Sequence, residues 1–163
     1  MRTWILDQVE QHPGLHLRAL QRSLDIPLGT LAHHMYVLHR SGRVAVRMTD
    51  QFKSFFPSTG LDRRDSALLY YLRQEIPRDI ATHLVDHPGS THAELADAIG
   101  RPSGTCEFHL AKLLRAVIVQ QERDGRAQRL TLQDHERTRA VLVRYRTSLA
   151  GHTSAADCPG HAA

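Results

Sequence analysis

The apolar residues in the N-terminal part of the chain recur at the three- and four-residue spacing of an amphipathic helix. Three stretches carry this spacing: residues 2 to 11, 15 to 24 and 27 to 42. His12-Pro13-Gly14 separates the first two, and Pro27 and Gly42 bound the third, because proline is tolerated at a helix entry and glycine favours a helix end. The pattern predicts three short helices, the last two forming a helix-turn-helix.

Two shorter apolar runs follow Gly42, at residues 44 to 48 and 52 to 56, with Thr49-Asp50-Gln51 between them. Short runs rich in valine and phenylalanine, separated by turn residues, predict a β-hairpin. A helix-turn-helix followed by such a hairpin is a winged helix. Its core is expected to consist of five apolar framework residues: Leu20, Leu31, Met35, Leu38 and Val44.

A shift of 75 residues aligns this stretch with a second copy of itself. The shift pairs His12-Pro13-Gly14 with His87-Pro88-Gly89 and gives eleven identities over the 33 positions from 12 to 44, against roughly one position in seventeen expected from residue usage. The other identical pairs are Leu20/Leu95, Pro27/Pro102, Gly29/Gly104, Thr30/Thr105, His34/His109, Leu38/Leu113, Arg40/Arg115 and Val44/Val119. We therefore predict a mainly α fold with small β-wings, built from two tandem winged helix-turn-helix modules.

The second copy carries the stronger hairpin signal. Residues 117 to 121 and 127 to 132 are predicted strands, and the loop between them at 122 to 126 contains Asp124-Gly125, a dipeptide typical of tight hairpin turns. The whole chain is expected to divide into module 1 at residues 1 to 59, a connector helix at 60 to 76, module 2 at 77 to 133, a C-terminal helix at 134 to 150 and a disordered tail at 151 to 163.

Composition is compatible with a nucleic-acid partner without requiring one. The 163 residues contain 21 Lys and Arg against 17 Asp and Glu, which gives a net charge of +4 and a pI near 9.5. Positions 12 to 58 carry six basic and two acidic residues, whereas positions 75 to 135 carry seven basic and nine acidic ones. Module 1 is therefore the better candidate for contact with phosphate groups.

The repeated motif resembles that of the archaeal tandem winged-helix transcriptional regulators, which are similar to the MarR and ArsR superfamily. The motif is His-Pro-Gly, Leu, Pro-x-Gly-Thr, x-His-[Met/Leu]-x-x-Leu and Val before a hairpin, and it occurs at positions 12 to 44 and again at 87 to 119. The resemblance covers residues 2 to 146. It implies a cytoplasmic, nucleoid-associated protein that binds double-stranded DNA as a homodimer, and the apolar faces of helices 62 to 74 and 134 to 149 are the candidate dimer contacts.

A helix that enters the major groove needs small residues at its N-terminus, hydrogen-bonding groups on its outer face and cations on either side. We expect Gly29 and Thr30 to approach the backbone and His33 and Tyr36 to reach base edges. The candidate phosphate contacts in module 1 are Arg18, Arg22, Arg40, Arg43, Arg47 and Lys53. In module 2, Glu107 and Phe108 replace Ala32 and His33, so contact is expected mainly through the wing: Arg123, Arg126 and Arg129, with Thr105 at the helix entry.

Two other functions compete with DNA recognition. Winged helices also serve as protein-interaction modules in transcription or chromatin assemblies. A metal-responsive repressor is a weaker alternative, suggested by twelve histidines and by His152, Cys158 and His161 in the tail. The two cysteines form no CxxC pair, and no glycine-rich phosphate loop or nucleophile motif occurs. We therefore expect no enzymatic activity, no cofactor and no structural metal.

Overall fold

The structure, a computed structural model, describes residues 1–151; the predicted disordered tail lies outside them, apart from Gly151. Module 1 consists of three helices and a two-stranded antiparallel wing: α1 (Arg2–Gln11), α2 (Leu17–Leu24), α3 (Leu28–Arg40), β1 (Val44–Thr49) and β2 (Phe52–Pro57). The α2–α3 corner turns at Asp25, whose φ of 50° places it in the left-handed region. The wing turn is two residues long, since Asp50 and Gln51 both have positive φ, as a tight hairpin twist requires.

Module 2 repeats this arrangement with the same shift of 75 residues. Its elements are α5 (Glu75–Asp86), α6 (His92–Ile99), α7 (Ser103–Arg115), β3 (Val119–Asp124) and β4 (Ala127–Leu132). The bounds of α6, α7, β3 and β4 are those of α2, α3, β1 and β2 moved by 75 positions. In each copy the glycine of the His-Pro-Gly turn donates its N–H to a wing carbonyl at 2.8 Å, Gly14 to Phe55 and Gly89 to Leu130. The predicted tandem fold is confirmed.

Three details differ from the sequence expectation. Helix α5 begins at Glu75, so Pro77 lies in its first turn, where backbone N–H groups have no intrahelical partner to lose. Strand β3 begins at Val119 and continues to Asp124, leaving Gly125-Arg126 as the turn. The predicted C-terminal helix is divided into α8 (His135–Arg144) and α9 (Arg146–Gly151), because the ψ of 15° at Tyr145 departs from helical geometry.

Two hydrophobic cores organise the chain. The first lies within module 1 and contains all five framework residues predicted above, each no more than 5% exposed. The second is centred on module 2, α8 and the connector helix α4 (Arg63–Leu72), and it includes Phe56 from the wing of module 1. Residues 68 to 72 of α4 are all buried here. The apolar face of α4 thus packs the two modules together within one chain.

A partly buried arginine joins module 1 to the end of the described chain through hydrogen bonds. The Arg73 guanidinium donates from Nε and Nη2 to the Pro13 carbonyl at 3.0 and 2.9 Å. Its Nη1 donates to the Ser148 carbonyl at 2.9 Å, and Nη2 also donates to the Ser148 hydroxyl at 2.7 Å. Burial, reinforced by the charge of Arg78, lowers the pKa of Arg73 to about 10. The same hydroxyl lies 2.8 Å from Nδ1 of His12.

Candidate nucleic-acid interface

The outward face of α3 is the predicted recognition surface. Leu31, Met35 and Leu38 fix the helix to the module 1 core, because they recur at helical spacing and are buried. This leaves the remaining face to solvent, where Thr30, His33 and Tyr36 are exposed, the last at 63%. Gly29 is also exposed, and an added Cβ there would meet nothing within 4 Å among the described atoms.

Exposed cations surround this face. Arg18 and Arg22 lie one turn apart on α2, and their charges, after the larger effect of burial, lower the pKa of His16 at the N-terminus of that helix. Arg40 and Arg43 are exposed at the other end of α3. Exposed cations thus lie on α2, which precedes α3, and at the C-terminal end of α3, whose outward face contains hydroxyl, imidazole and phenol groups.

Two of the predicted phosphate contacts, Lys53 and Arg47, lie on opposite faces of the wing of module 1. Lys53 pairs across the hairpin with Met48, and both side chains are exposed. Arg47 is on the opposite face of the strand, since side chains alternate along it. Its guanidinium carbon lies 5.9 Å from the ring centroid of Phe56, and it is partly buried. Arg47 thus faces the side of the wing that packs toward α4.

Module 2 presents a different surface at the same positions. Where module 1 has Arg18, Arg22, His33, Tyr36 and Arg43, the repeat places Ala93, Asp97, Phe108, Ala111 and Ile118. Phe108 is 55% exposed, with the Lys112 ammonium 4.7 Å from its ring centroid. Glu107 is exposed beside it, and Thr105 is half-buried. Of the six candidate phosphate contacts of module 1, only Arg40 has a basic residue at the equivalent position of module 2, Arg115.

The three arginines of the second wing differ in their contacts with neighbouring groups. Arg129 donates to the Gly89 carbonyl at 3.3 Å and lies 3.6 Å from Asp124 and 3.9 Å from Glu94, so carboxylates offset its charge. Arg123 donates from Nε to the Gly125 carbonyl at 3.3 Å. Arg126 is exposed in the turn itself. Of the three, Arg126 is the one placed most directly for an external anion.

Two arginines outside the predicted set also lie on an accessible surface. Arg63 and Arg64 are exposed in the first turn of α4, directly after its N-cap residue Asp62. Their adjacency to a helix start is visible in the sequence, but their proximity to the wing depends on the packing of α4.

Within residues 1–151 no group of three His, Cys, Asp or Glu side chains is arranged to hold a metal ion. His152, Cys158 and His161 lie outside the described residues.

Comparison with known proteins matches both modules. A family model described as an N-terminal HTH domain matches residues 1–69, and one described as winged helix-turn-helix DNA-binding matches residues 73–116. An uncharacterised HTH-type transcriptional regulator of Methanocaldococcus jannaschii is 27% identical over 76% of this chain and 31% of its own length. The probable HTH-type transcriptional regulator ArcR of Halobacterium salinarum is 30% identical over 65% of this chain and 43% of its own.

The chain thus spans less than half the length of these curated relatives. Among solved structures, reduced HlyU from Vibrio cholerae N16961 aligns with 52% of this chain and 87% of its own at 21% identity, with a TM-score of 0.45. No helix within the described range is long and apolar enough to cross a lipid bilayer.

Proposed function

We infer that this chain, a tandem winged helix-turn-helix protein of the archaeal transcriptional-regulator type, binds double-stranded DNA and regulates transcription in the cytoplasm, at the nucleoid. The observation that carries the proposal is the difference between two copies of one fold. At the positions where module 1 exposes Arg18, Arg22 and Arg43, module 2 has the exposed Ala93 and Asp97 and the buried Ile118. Three of the five framework residues are identical in module 2, and the other two are matched by the buried Cys106 and Leu110. The two cores are therefore alike, and the modules differ mainly at the surface.

In this proposal α3 enters the major groove. Its exposed Thr30, His33 and Tyr36 face the base edges, with Gly29 allowing close approach of the backbone. The phosphates on either side are bound by the exposed cations of module 1: Arg18, Arg22, Arg40, Arg43 and Lys53. Arg47 would bind a phosphate only after its side chain moves away from the face of the wing that packs toward α4.

The test is a titration of a mixed-sequence duplex at two salt concentrations. Five phosphate contacts predict a slope of log affinity against log salt of about −4.5 for each chain bound, since each contact contributes roughly −0.9. Replacing Arg40 with glutamine should reduce the slope by about 0.9. Arg115→Gln is the matched control, because Arg115 is the exposed residue at the same position of module 2. Absence of binding at low salt would favour a protein-interaction module instead.

Module 2 has a second candidate role in assembly, favoured by the exposed Phe108 beside Glu107. A carboxylate on the outward face of a helix is repelled by phosphate, whereas an exposed aromatic ring is typical of protein interfaces. We propose that its DNA contact, where made, uses the wing. Reversing the charges of Arg123 and Arg126 should then weaken DNA affinity; an unchanged affinity and salt slope would assign module 2 to assembly.

Homodimerisation is part of the proposal, with the contact limited to the exposed side of the C-terminal helices. The large apolar residues of α4, at 68 to 72, are already buried within the chain. On α8, Val143 is 70% exposed. We expect Val143→Glu to shift a dimer toward the monomer in analytical ultracentrifugation, and a wild-type chain that sediments as a monomer at micromolar concentration would remove the dimer from the proposal.

A further inference from the structure

Two grooves run along the N-terminal half of α4. Groove A, about 480 Å³, lies between α4, the α7–β3 turn and the start of α8, and its apolar wall contains Ala67, Leu68, Val117 and Ile118. Groove B, about 350 Å³, lies between α4 and strand β1. Arg63 and Ala67, one helical turn apart, line both grooves. The grooves therefore meet along a single ridge of α4, at the junction of the two modules.

The polar groups around this ridge are mainly cationic. Groove B is lined by Arg47 and Arg63, and the described residues that line it include no carboxylate. The buried Nε–H of Arg47 has no hydrogen-bond partner within residues 1–151. A buried donor without an acceptor costs free energy. In groove A the lining carboxylate of Asp134 is already paired with Arg137 at 3.3 Å.

The apolar wall of groove A contains a strained residue. Val117 has a φ of 57°, a left-handed conformation that is unfavourable for a β-branched side chain. The equivalent residue of module 1 is Gly42, whose φ is 71°. Module 2 thus has a valine where the same turn in module 1 has glycine, and that side chain is 63% exposed in the groove. The strained turn therefore places an apolar side chain at the open wall of groove A.

We propose that grooves A and B form one binding site for a small amphipathic organic anion. Its aromatic or aliphatic body lies in groove A against Val117 and Ala67. Its carboxylate, sulfonate or phosphate group crosses the ridge to groove B, where it accepts hydrogen bonds from the guanidinium groups of Arg63 and Arg47. The combined site has the size of ordinary small-molecule pockets. It is independent of DNA binding, and residues of both modules line it.

The test uses purified protein without DNA and the fluorescent probe anilinonaphthalene sulfonate. Naphthoate should displace the bound probe, whereas the uncharged naphthamide should do so at least tenfold less effectively, as expected for the loss of a charge-assisted hydrogen bond of about 1.4 kcal/mol. Arg63→Gln and Arg47→Gln should each lower naphthoate affinity by about tenfold. Ala67→Leu should block binding by filling both grooves without removing a charge.

Arg139→Gln is the control, because Arg139 is an exposed arginine that lines a different groove, between α5 and the C-terminal helices. Near-ultraviolet circular dichroism checks that each variant keeps its tertiary packing. Equal displacement by naphthoate and naphthamide would overturn the anionic assignment. Loss of binding in Arg139→Gln but not in Arg63→Gln, or no binding of the probe or naphthoate to the folded wild-type protein, would overturn the site itself.

Discussion

The two His-Pro-Gly turns allow the packing of module 1 against α4 to be measured by one matched pair of substitutions. Gly14 and Gly89 have φ values of 89° and 84°, and each donates to a wing carbonyl at 2.8 Å. They differ in what an added methyl group would meet. At Gly14 it would lie 3.2 Å from the Phe56 ring and 3.6 Å from Leu69, whereas at Gly89 nothing described lies within 4 Å.

The expected costs follow from this geometry. Gly89→Ala places a side chain in the left-handed region, which costs about 1–2 kcal/mol, offset by roughly 0.4–1 kcal/mol from the reduced entropy of the unfolded chain. Gly14→Ala carries the same conformational cost. It also crowds Phe56 and Leu69, and overpacking of a filled core typically adds about 1–3 kcal/mol. Gly14→Ala should therefore be the more destabilising substitution by at least 1 kcal/mol.

The assay is urea denaturation followed by circular dichroism, with the free energy of unfolding and the m value fitted for wild type and both variants. An unchanged m value would show that the substitutions alter stability rather than the extent of unfolding. If the two variants lose the same stability, Phe56 moves aside at no cost. The side chains between the His-Pro-Gly turn and α4 would then accommodate the added methyl group without loss of stability, contrary to the packing described above.

Two further predictions concern the contacts that join the modules. Burial, followed by the Asp50 carboxylate, raises the pKa of Tyr71 to about 12, and its hydroxyl donates to Asp50 at 3.2 Å. Tyr71→Phe should cost about 1 kcal/mol near neutral pH. Between pH 10 and 12 the unfolded phenol ionises before the folded one, so wild type loses stability there and the difference between the two should shrink in urea titrations; a constant difference would contradict the shifted pKa. Arg73→Leu removes the donor from the buried carbonyls of Pro13 and Ser148 and should cost about 2–4 kcal/mol by thermal denaturation, whereas a loss below 1 kcal/mol would show that water replaces the guanidinium.

The sequence predicted the repeated framework well because local spacing determines it. Apolar residues at three- and four-residue intervals and a proline at each entry specify α3 and α7 without long-range information, and Gly42 marks the end of α3. The two-residue turn at Gly125-Arg126 lies within the predicted loop at 122 to 126, but three of the loop residues belong to strand β3. Asp124-Gly125 marks a turn without showing which residues end the paired strands.

Features that depend on tertiary packing were harder to predict from the sequence. No glycine or proline marks the break at Tyr145, so a continuous apolar pattern concealed two helices. Val117 is β-branched and was assigned to a strand, whereas the helix end requires a left-handed residue there. The direction of Arg47 depends on which face of the wing α4 covers, and the grooves beside Arg63 exist only once α4 is packed. The assignment of individual DNA contacts stays a prediction.

The contact of His12 with Ser148 has a consequence for the order of events during synthesis. These residues are separated by 136 positions, and the Arg73 hydrogen bonds to Pro13 and Ser148 close the same long loop. Module 1 has its own core and is complete soon after residue 57 leaves the ribosome. The hydrogen bonds of His12 and Arg73 with Ser148 can form only after residue 148 has emerged. A nascent chain therefore carries an assembled first winged helix before the position of that helix relative to the second is fixed.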